Sequence, residues 1–205
     1  MSLRVGVLAS GAGTNLQAIL DNVHGREAEV VAVGSDKPGA EALGRALALG
    51  IDTAEFPRDS YADRDARDLA IAEWFVSRDV ELVVLAGYMQ LVSAAFLAAF
   101  PLRVINVHPA LLPAFPGIHA VEQAIDYGVK VFGVTVHFVD EGIDSGPIIL
   151  QQAVELPEAV DAAEVREALR PIEHELLTGA VRLIASGTVR PDPSHPRRVL
   201  VGGTP

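Results

Sequence analysis

Through its first half the chain alternates short apolar runs with amphipathic stretches. Residues 3–9 (LRVGVLA) predict a strand, and a glycine-rich turn leads from it into a helix over about 14–23. Residues 29–33 predict a second strand, and 40–49 a helix closed by Gly50, where a left-handed cap is usual. A short strand at 53–56 precedes a helix that opens with Ser60 three residues before Asp63, a pattern like a capping box, and runs to about residue 77. Residues 81–85 (ELVVL) are apolar without alternation, as in a strand covered on both faces. Strands that alternate with helices in this way form right-handed βαβ units around a parallel sheet.

The second half departs from that rhythm. Residues 103–107 predict a strand ended by His108-Pro109, followed by a stiff loop over 109–119 that holds Pro109, Pro113, Pro116 and Gly117. Ordered loops of this length in compact domains are usually functional. A short helix at 120–127 leads to two strands, 130–139 and 147–154, joined by a hairpin-like connection. A long helix begins at Asp161 and reaches about residue 185, with a bend expected at Pro171. No repeat or linker interrupts the pattern. The expectation is one Rossmann-like α/β domain over residues 1–188, a mostly parallel sheet flanked by helices, and an irregular tail at 189–205.

Composition narrows the class. A chain of 205 residues, half of them hydrophobic, can bury a core without disulfide or metal staples. Cys is absent, which excludes disulfides, thiolate metal sites and Cys nucleophiles; with no export signal, the expected location is the cytoplasm. The formal net charge of −11 is a poor match for nucleic acid or an anionic membrane surface. An anionic ligand must therefore be held by local geometry. Residues 82–100 are nearly apolar over a length that could cross a bilayer, but Gly87, Gln90 and Ser93 interrupt them. They read as a buried strand, a loop and a short helix.

Three places carry candidate chemistry. Ser10-Gly11-Ala12-Gly13-Thr14-Asn15-Leu16 lies between a strand and a helix, where glycine lets backbone N–H groups approach an anion at the helix start. Leu16 stands where a dinucleotide fingerprint has its third glycine, and no Walker-type Gly-Lys-Ser/Thr follows. The motif suits a monophosphate or an ordinary tight turn. Asp36, at the place of a dinucleotide's ribose-binding acid, then reads as a solvated loop residue. Asn106 and His108 end a buried strand and alternate onto one side, so that an amide donor and an imidazole aim together at a carbonyl that becomes an oxyanion. A structural His is the alternative. Asp144 lies in a glycine-bracketed loop; near His108 it would favour the imidazolium and raise its pKa, and away from it Asp144 is a turn residue. The six histidines show no HxxxH or carboxylate spacing, so no metal site is expected.

The segments ASGAGTNLQAIL, INVHPALLPAFPG and GVTVHFVDEGIDSGPIILQ together resemble the phosphoribosylglycinamide formyltransferases, over roughly residues 3–185. The middle motif is shared across the wider folate formyltransferases, and the first is the more selective. The resemblance implies the formyltransferase fold and transfer of a formyl group from 10-formyltetrahydrofolate to the amine of glycinamide ribonucleotide, with no tightly bound cofactor. It implies that Asn106, His108 and Asp144 are catalytic, and that Gly13, Thr14, Asn15 and Glu173 hold the ribonucleotide. For the folate it implies Arg64 at the anionic end, and Met89, Gln90, Leu91, Val92 and Val104 around the pteridine. Asn106 and the loop of Asp140, Glu141, Gly142, Ile143 and Asp144 complete that site. A homodimer is compatible with this pattern and not required by it.

Some positions depart from the family. Ala110 stands where many relatives carry Ser, and Gln90 and Ala114 where basic residues are common. Two other formyl-folate enzymes are expected to carry an extra domain, a basic C-terminal one for methionyl-tRNA formyltransferase and an N-terminal regulatory one for formyltetrahydrofolate hydrolase. A non-catalytic phosphate-binding module is the rival from another class.

Overall fold

The first apolar run, β1 (Leu3–Leu8), becomes the middle strand of a parallel array. The structure is a computed structural model that describes residues 2–202, and the chain divides into two compact units, Met1–Asn106 and Val107–Pro205. In the first unit β2 (Ala28–Ser35) pairs with one edge of β1 and β4 (Leu82–Leu85) with the other, both parallel. Outside them lie β3 (Asp52–Glu55), on β2, and the first residues of β5 (Val104–His108), on β4. The order β3-β2-β1-β4-β5 reverses direction at β1 and β4. In open α/β sheets ligands bind at such a switch point, outside the carboxyl ends of the strands. All four residues of β4 are buried, which is why its sequence lacks alternation.

Helices α1 (Thr14–Asn22), α2 (Glu41–Leu47), α3 (Arg64–Val76) and α4 (Ala94–Ala99) link these strands. The cap of α3 differs from the expected one. Asp63, in extended conformation, accepts a hydrogen bond from Ala66 N–H at 2.8 Å, while residues 58–60 form a separate 3-10 turn. The carboxylate terminates the helix because it satisfies an N–H of the first turn that a side chain at position 60 cannot reach.

The second unit holds α5 (Ala120–Tyr127), the antiparallel pair β6 (Val131–Phe138) and β7 (Ile148–Glu155), and α6 (Ala162–Ala185), which packs on both strands. Helix α6 runs through Pro171 as one element. Most of the tail expected to be irregular is ordered, β8 (Val189–Asp192) and β9 (His195–Val201) forming a hairpin, and its last residues, 203–205, lie outside the described residues. Pro191 sits within β8 of this two-stranded ribbon, where a missing N–H can face outward. The complete strand order is β3-β2-β1-β4-β5-β6-β7, a mostly parallel sheet flanked by helices. Among the described residues no helix is long and apolar enough to cross a membrane.

Candidate active site

The turn after β1 meets the sheet at the switch point. Gly13 adopts φ 71° at the N-cap of α1, and a Cβ there would lie 2.7 Å from Ala42 Cβ, so both the backbone and the packing require glycine. Thr14 opens the helix and Asn15 is buried in its first turn. The turn is braced by Arg45 of α2, whose Nε donates to the Ala12 carbonyl at 2.8 Å and whose Nη1 donates to Gln17 Oε1 at 2.9 Å. Sequence reasoning missed this cation, because nothing in an amphipathic helix marks which arginine turns back to a distant loop. Gly13→Ala is expected to cost about 2–3 kcal/mol of stability, from left-handed strain plus overpacking, and urea unfolding measures it.

Asp36 corrects the sequence expectation. It is buried rather than solvated, and Ser10 Oγ donates to its Oδ1 at 2.5 Å while Gln90 Nε2 donates to its Oδ2 at 3.1 Å. Both oxygens are engaged within the protein. Met89 and Leu91, in the segment after β4, are more than half exposed, whereas Val104 is buried at the start of β5. Gln90 and Val92 are half-buried. Arg64, the first residue of α3, keeps a half-exposed side chain and pairs with Asp65 at 3.6 Å. Asn106 on β5 is half-buried.

His108, two residues along the same strand, is 4% exposed and has both ring nitrogens occupied. Its Nε2 lies 2.8 Å from the Phe115 carbonyl, which can only accept, so Nε2 carries a hydrogen. Its Nδ1 lies 3.3 Å from Asp144 Oδ2. A proton on Nδ1 makes that approach a charge-assisted contact. His108 and Asp144 are thus brought together. Loop 109–119 supplies Phe115, and it also supplies the Gly117 N–H, which donates to Asp144 Oδ2 at 2.8 Å.

Asp144 is positioned by the turn that carries it. Asp140 Oδ1 accepts from Gly142 N–H at 3.1 Å and from Ser145 Oγ at 2.6 Å, and Asp144 itself takes φ 47°, which Asp tolerates. A Cβ at Gly146 would overlap the Phe138 carbonyl, so only glycine lets the chain fold back here. Asp140, Glu141, Gly142 and Ile143 are exposed around this turn.

His137 completes the cluster and was not among the sequence candidates. Its Nε2 lies 3.6 Å from Asp144 Oδ1, and its Nδ1 lies 2.8 Å from the Phe138 carbonyl. The signal was there in β6: Thr135 and His137 are polar residues at alternate positions of an otherwise apolar strand. Burial pushes the Asp144 carboxyl up, but the hydrogen bonds from His137 and Gly117 and the charges of His108 and His137 outweigh it and hold the carboxyl at about 2. Asp144 is therefore ionised at neutral pH. Glu173 is half-buried on α6, beside His174, whose imidazole is held below its usual range by burial and by Arg170. Among the described residues, no group of three or more His, Cys, Asp or Glu side chains is arranged to hold a metal ion.

The chain is similar to known proteins over nearly its whole length. The formyl transferase family profile matches residues 3–181. The chain is 42% identical over 178 residues to a phosphoribosylglycinamide formyltransferase of Bacillus subtilis, covering 86% of this chain and 91% of that protein. It is 39% identical over 189 residues to the trifunctional purine biosynthetic protein adenosine-3 of Drosophila melanogaster, covering 90% of this chain and 14% of that much longer protein. The crystal structure of glycinamide ribonucleotide transformylase 1 from Symbiobacterium toebii superposes with a TM-score of 0.93 at 46% identity, covering 98% of this chain and 94% of that one.

Proposed function

The chain belongs to the formyl transferase family and, within it, to the phosphoribosylglycinamide formyltransferases; from that premise we propose that it moves a formyl group from 10-formyltetrahydrofolate to the amine of glycinamide ribonucleotide by direct attack. The observation that carries the mechanism is the pair of contacts on His108, an acceptor at Nε2 and the Asp144 carboxylate at Nδ1. The Phe115 carbonyl oxygen stands in for the formyl oxygen: each is an sp² oxygen that takes the Nε2–H. When the formyl group arrives, Phe115 releases that hydrogen to it.

The substrate amine attacks the formyl carbon, the C–N bond forms, and the carbonyl electron pair becomes an oxyanion. The His108 imidazolium and the Asn106 carboxamide, alternating onto one side of β5, donate to that oxygen; such a donor contributes roughly 3 kcal/mol in a preorganised site. Ionised Asp144 faces Nδ1 and orients the imidazole, and His137 and Gly117 N–H keep Asp144 ionised. Collapse of the intermediate breaks the bond to the folate nitrogen. The proton lost by the attacking amine reaches that nitrogen through His108 or through water. No covalent enzyme intermediate is needed.

Binding follows the same residues. The phosphate sits on Gly13, Thr14 and Asn15, where the N-terminal N–H groups of α1 favour an anion despite the net charge of −11. Glu173 contacts the ribonucleotide. The folate lies along Met89, Gln90, Leu91, Val92 and Val104 and the turn of Asp140, Glu141, Gly142, Ile143 and Asp144, with its anionic end toward Arg64. An absorbance assay of formyl transfer, run with glycinamide ribonucleotide and with water alone as acceptor, tests the reading. Turnover is expected only with the ribonucleotide. Formate release in water alone would point to a hydrolase, and a blank assay with retained ribonucleotide binding to a binding module.

A further inference from the structure

We propose that Asp36 is a positioning residue that ties the phosphate turn to the folate-lining segment, so that a ligand on either one tightens binding at the other. The inference deepens the reading above, since it rests on residues 13–15 and 89–92 serving those two substrates. The two segments leave the carboxyl ends of β1 and β4 at the switch point, and Asp36 leaves the end of β2 beside them.

The contacts form a continuous bridge, buried at Ser10, Asp36, Arg67 and Asp68, with part-buried hydrogen bonds at Met89 and Gln90. Ser10 directly precedes Gly11-Ala12-Gly13, and its hydroxyl has a single proton. That proton goes to Asp36 Oδ1 at 2.5 Å, and the hydroxyl oxygen accepts the Met89 N–H at 2.9 Å. Ser10 N–H also donates to the Gly87 carbonyl at 3.1 Å. Asp36 Oδ2 takes the Gln90 amide, which fixes the amide's orientation and turns Gln90 Oε1 toward Arg67 Nη1 at 3.4 Å. Arg67, 1% exposed, is held by Asp68 Oδ1 through its Nε and Nη2 at 3.0 and 2.8 Å. The other oxygen of Asp68 accepts the Ser93 N–H at 2.6 Å, at the start of α4. Residues 87–93 are thus gripped at both ends and in the middle, and the middle grip passes through Asp36 to the turn that precedes Gly13.

The bridge gives a physical account of an amide at position 90. An amide is the group that can donate to a carboxylate on one side and accept from a guanidinium on the other. A lysine or arginine could only donate, and would leave Arg67 facing another cation. A ligand that orders the phosphate turn immobilises Ser10, hence Asp36, hence Met89 N–H and Gln90. The second ligand then meets a segment whose ordering cost is already met.

Asparagine at position 36 keeps the shape but removes the negative charge and puts a donor in place of one acceptor oxygen, so the bridge loses its charge-assisted bonds and the arms weaken. Titrating glycinamide ribonucleotide calorimetrically into the full chain, with and without saturating tetrahydrofolate (which lacks the formyl group and cannot react), reads the coupling. Wild-type protein is expected to bind the ribonucleotide about 5- to 20-fold tighter with folate present. Asp36→Asn is expected to reduce that factor below about twofold, with each ligand alone binding within about threefold of wild type. Ser10→Ala, which severs one arm, is expected to do the same and serves if Asp36→Asn does not fold. Equal coupling in the variants, or no coupling in wild type while both ligands bind, overturns the inference alone. Wild-type protein that binds neither ligand overturns the functional reading, and the inference with it.

Discussion

His108→Ala is expected to lower kcat about 10⁴- to 10⁵-fold while the ribonucleotide's dissociation constant stays within about threefold of wild type. Two effects multiply in kcat. Loss of an oxyanion donor from a preorganised site costs about 10²- to 10³-fold, and loss of a positioned proton carrier costs about 10²-fold or more. The donor loss is not repaired by water, because the wild-type imidazole is 4% exposed and its position is enclosed. Ribonucleotide binding draws instead on Gly13, Thr14 and Asn15, none of which the substitution touches. Truncation also leaves the Phe115 carbonyl without its donor and Asp144 without one imidazole, at about 2–3 kcal/mol of stability. Turnover, calorimetric binding and a urea transition on the same preparation separate these effects. Activity equal to wild type would remove His108 from the chemistry.

Apolar runs announced the strands well, because buried strands need apolar residues whatever surrounds them. Their ends moved where hydrogen bonding outlasts the apolar run: β2 continues through Gly34 and Ser35, which pair with Ala54 and Glu55 of β3. Asn106 and His108 were legible because strand alternation is local. The partnership of His108 with Asp144 is not local; it needs the β6 strand, the Asp140 turn and loop 109–119, and only the family motifs pointed to it. Asp36 shows the same limit in reverse. Its type and place at a strand end were visible, but the partners that bury it, Ser10 and Gln90, lie 26 and 54 residues away in sequence. The tail was misread because proline was weighed as a breaker, whereas Pro191 pairs with Val199 in a ribbon.

Asp144→Asn should separate the carboxylate's charge from its shape. Asparagine accepts φ 47° and can still take the Gly117 N–H, so the turn survives while the charge beside His108 is lost. Without that charge the contact on His108 Nδ1 loses its charge assistance and the imidazole is held less firmly, so kcat at neutral pH is expected to fall about 10²-fold. An unchanged kcat would break the link between Asp144 and His108. The same substitution changes acid stability with a defined sign. The Asp144 carboxyl is held at about 2 in the folded protein against an ordinary 3.8. A carboxyl depressed in the folded state stabilises it at pH values above its unfolded pKa, and that contribution disappears as pH falls through its folded pKa. Nearly two units at about 1.4 kcal/mol each give about 2–3 kcal/mol, which solvent screening of a partly exposed carboxylate reduces to roughly 2 kcal/mol, present above about pH 4 and lost by about pH 2. Urea transitions between pH 6 and pH 2 should therefore show wild type losing about 2 kcal/mol more than Asp144→Asn over that interval. Parallel losses would mean that the carboxylate is not held down by the imidazoles and the Gly117 N–H that surround it.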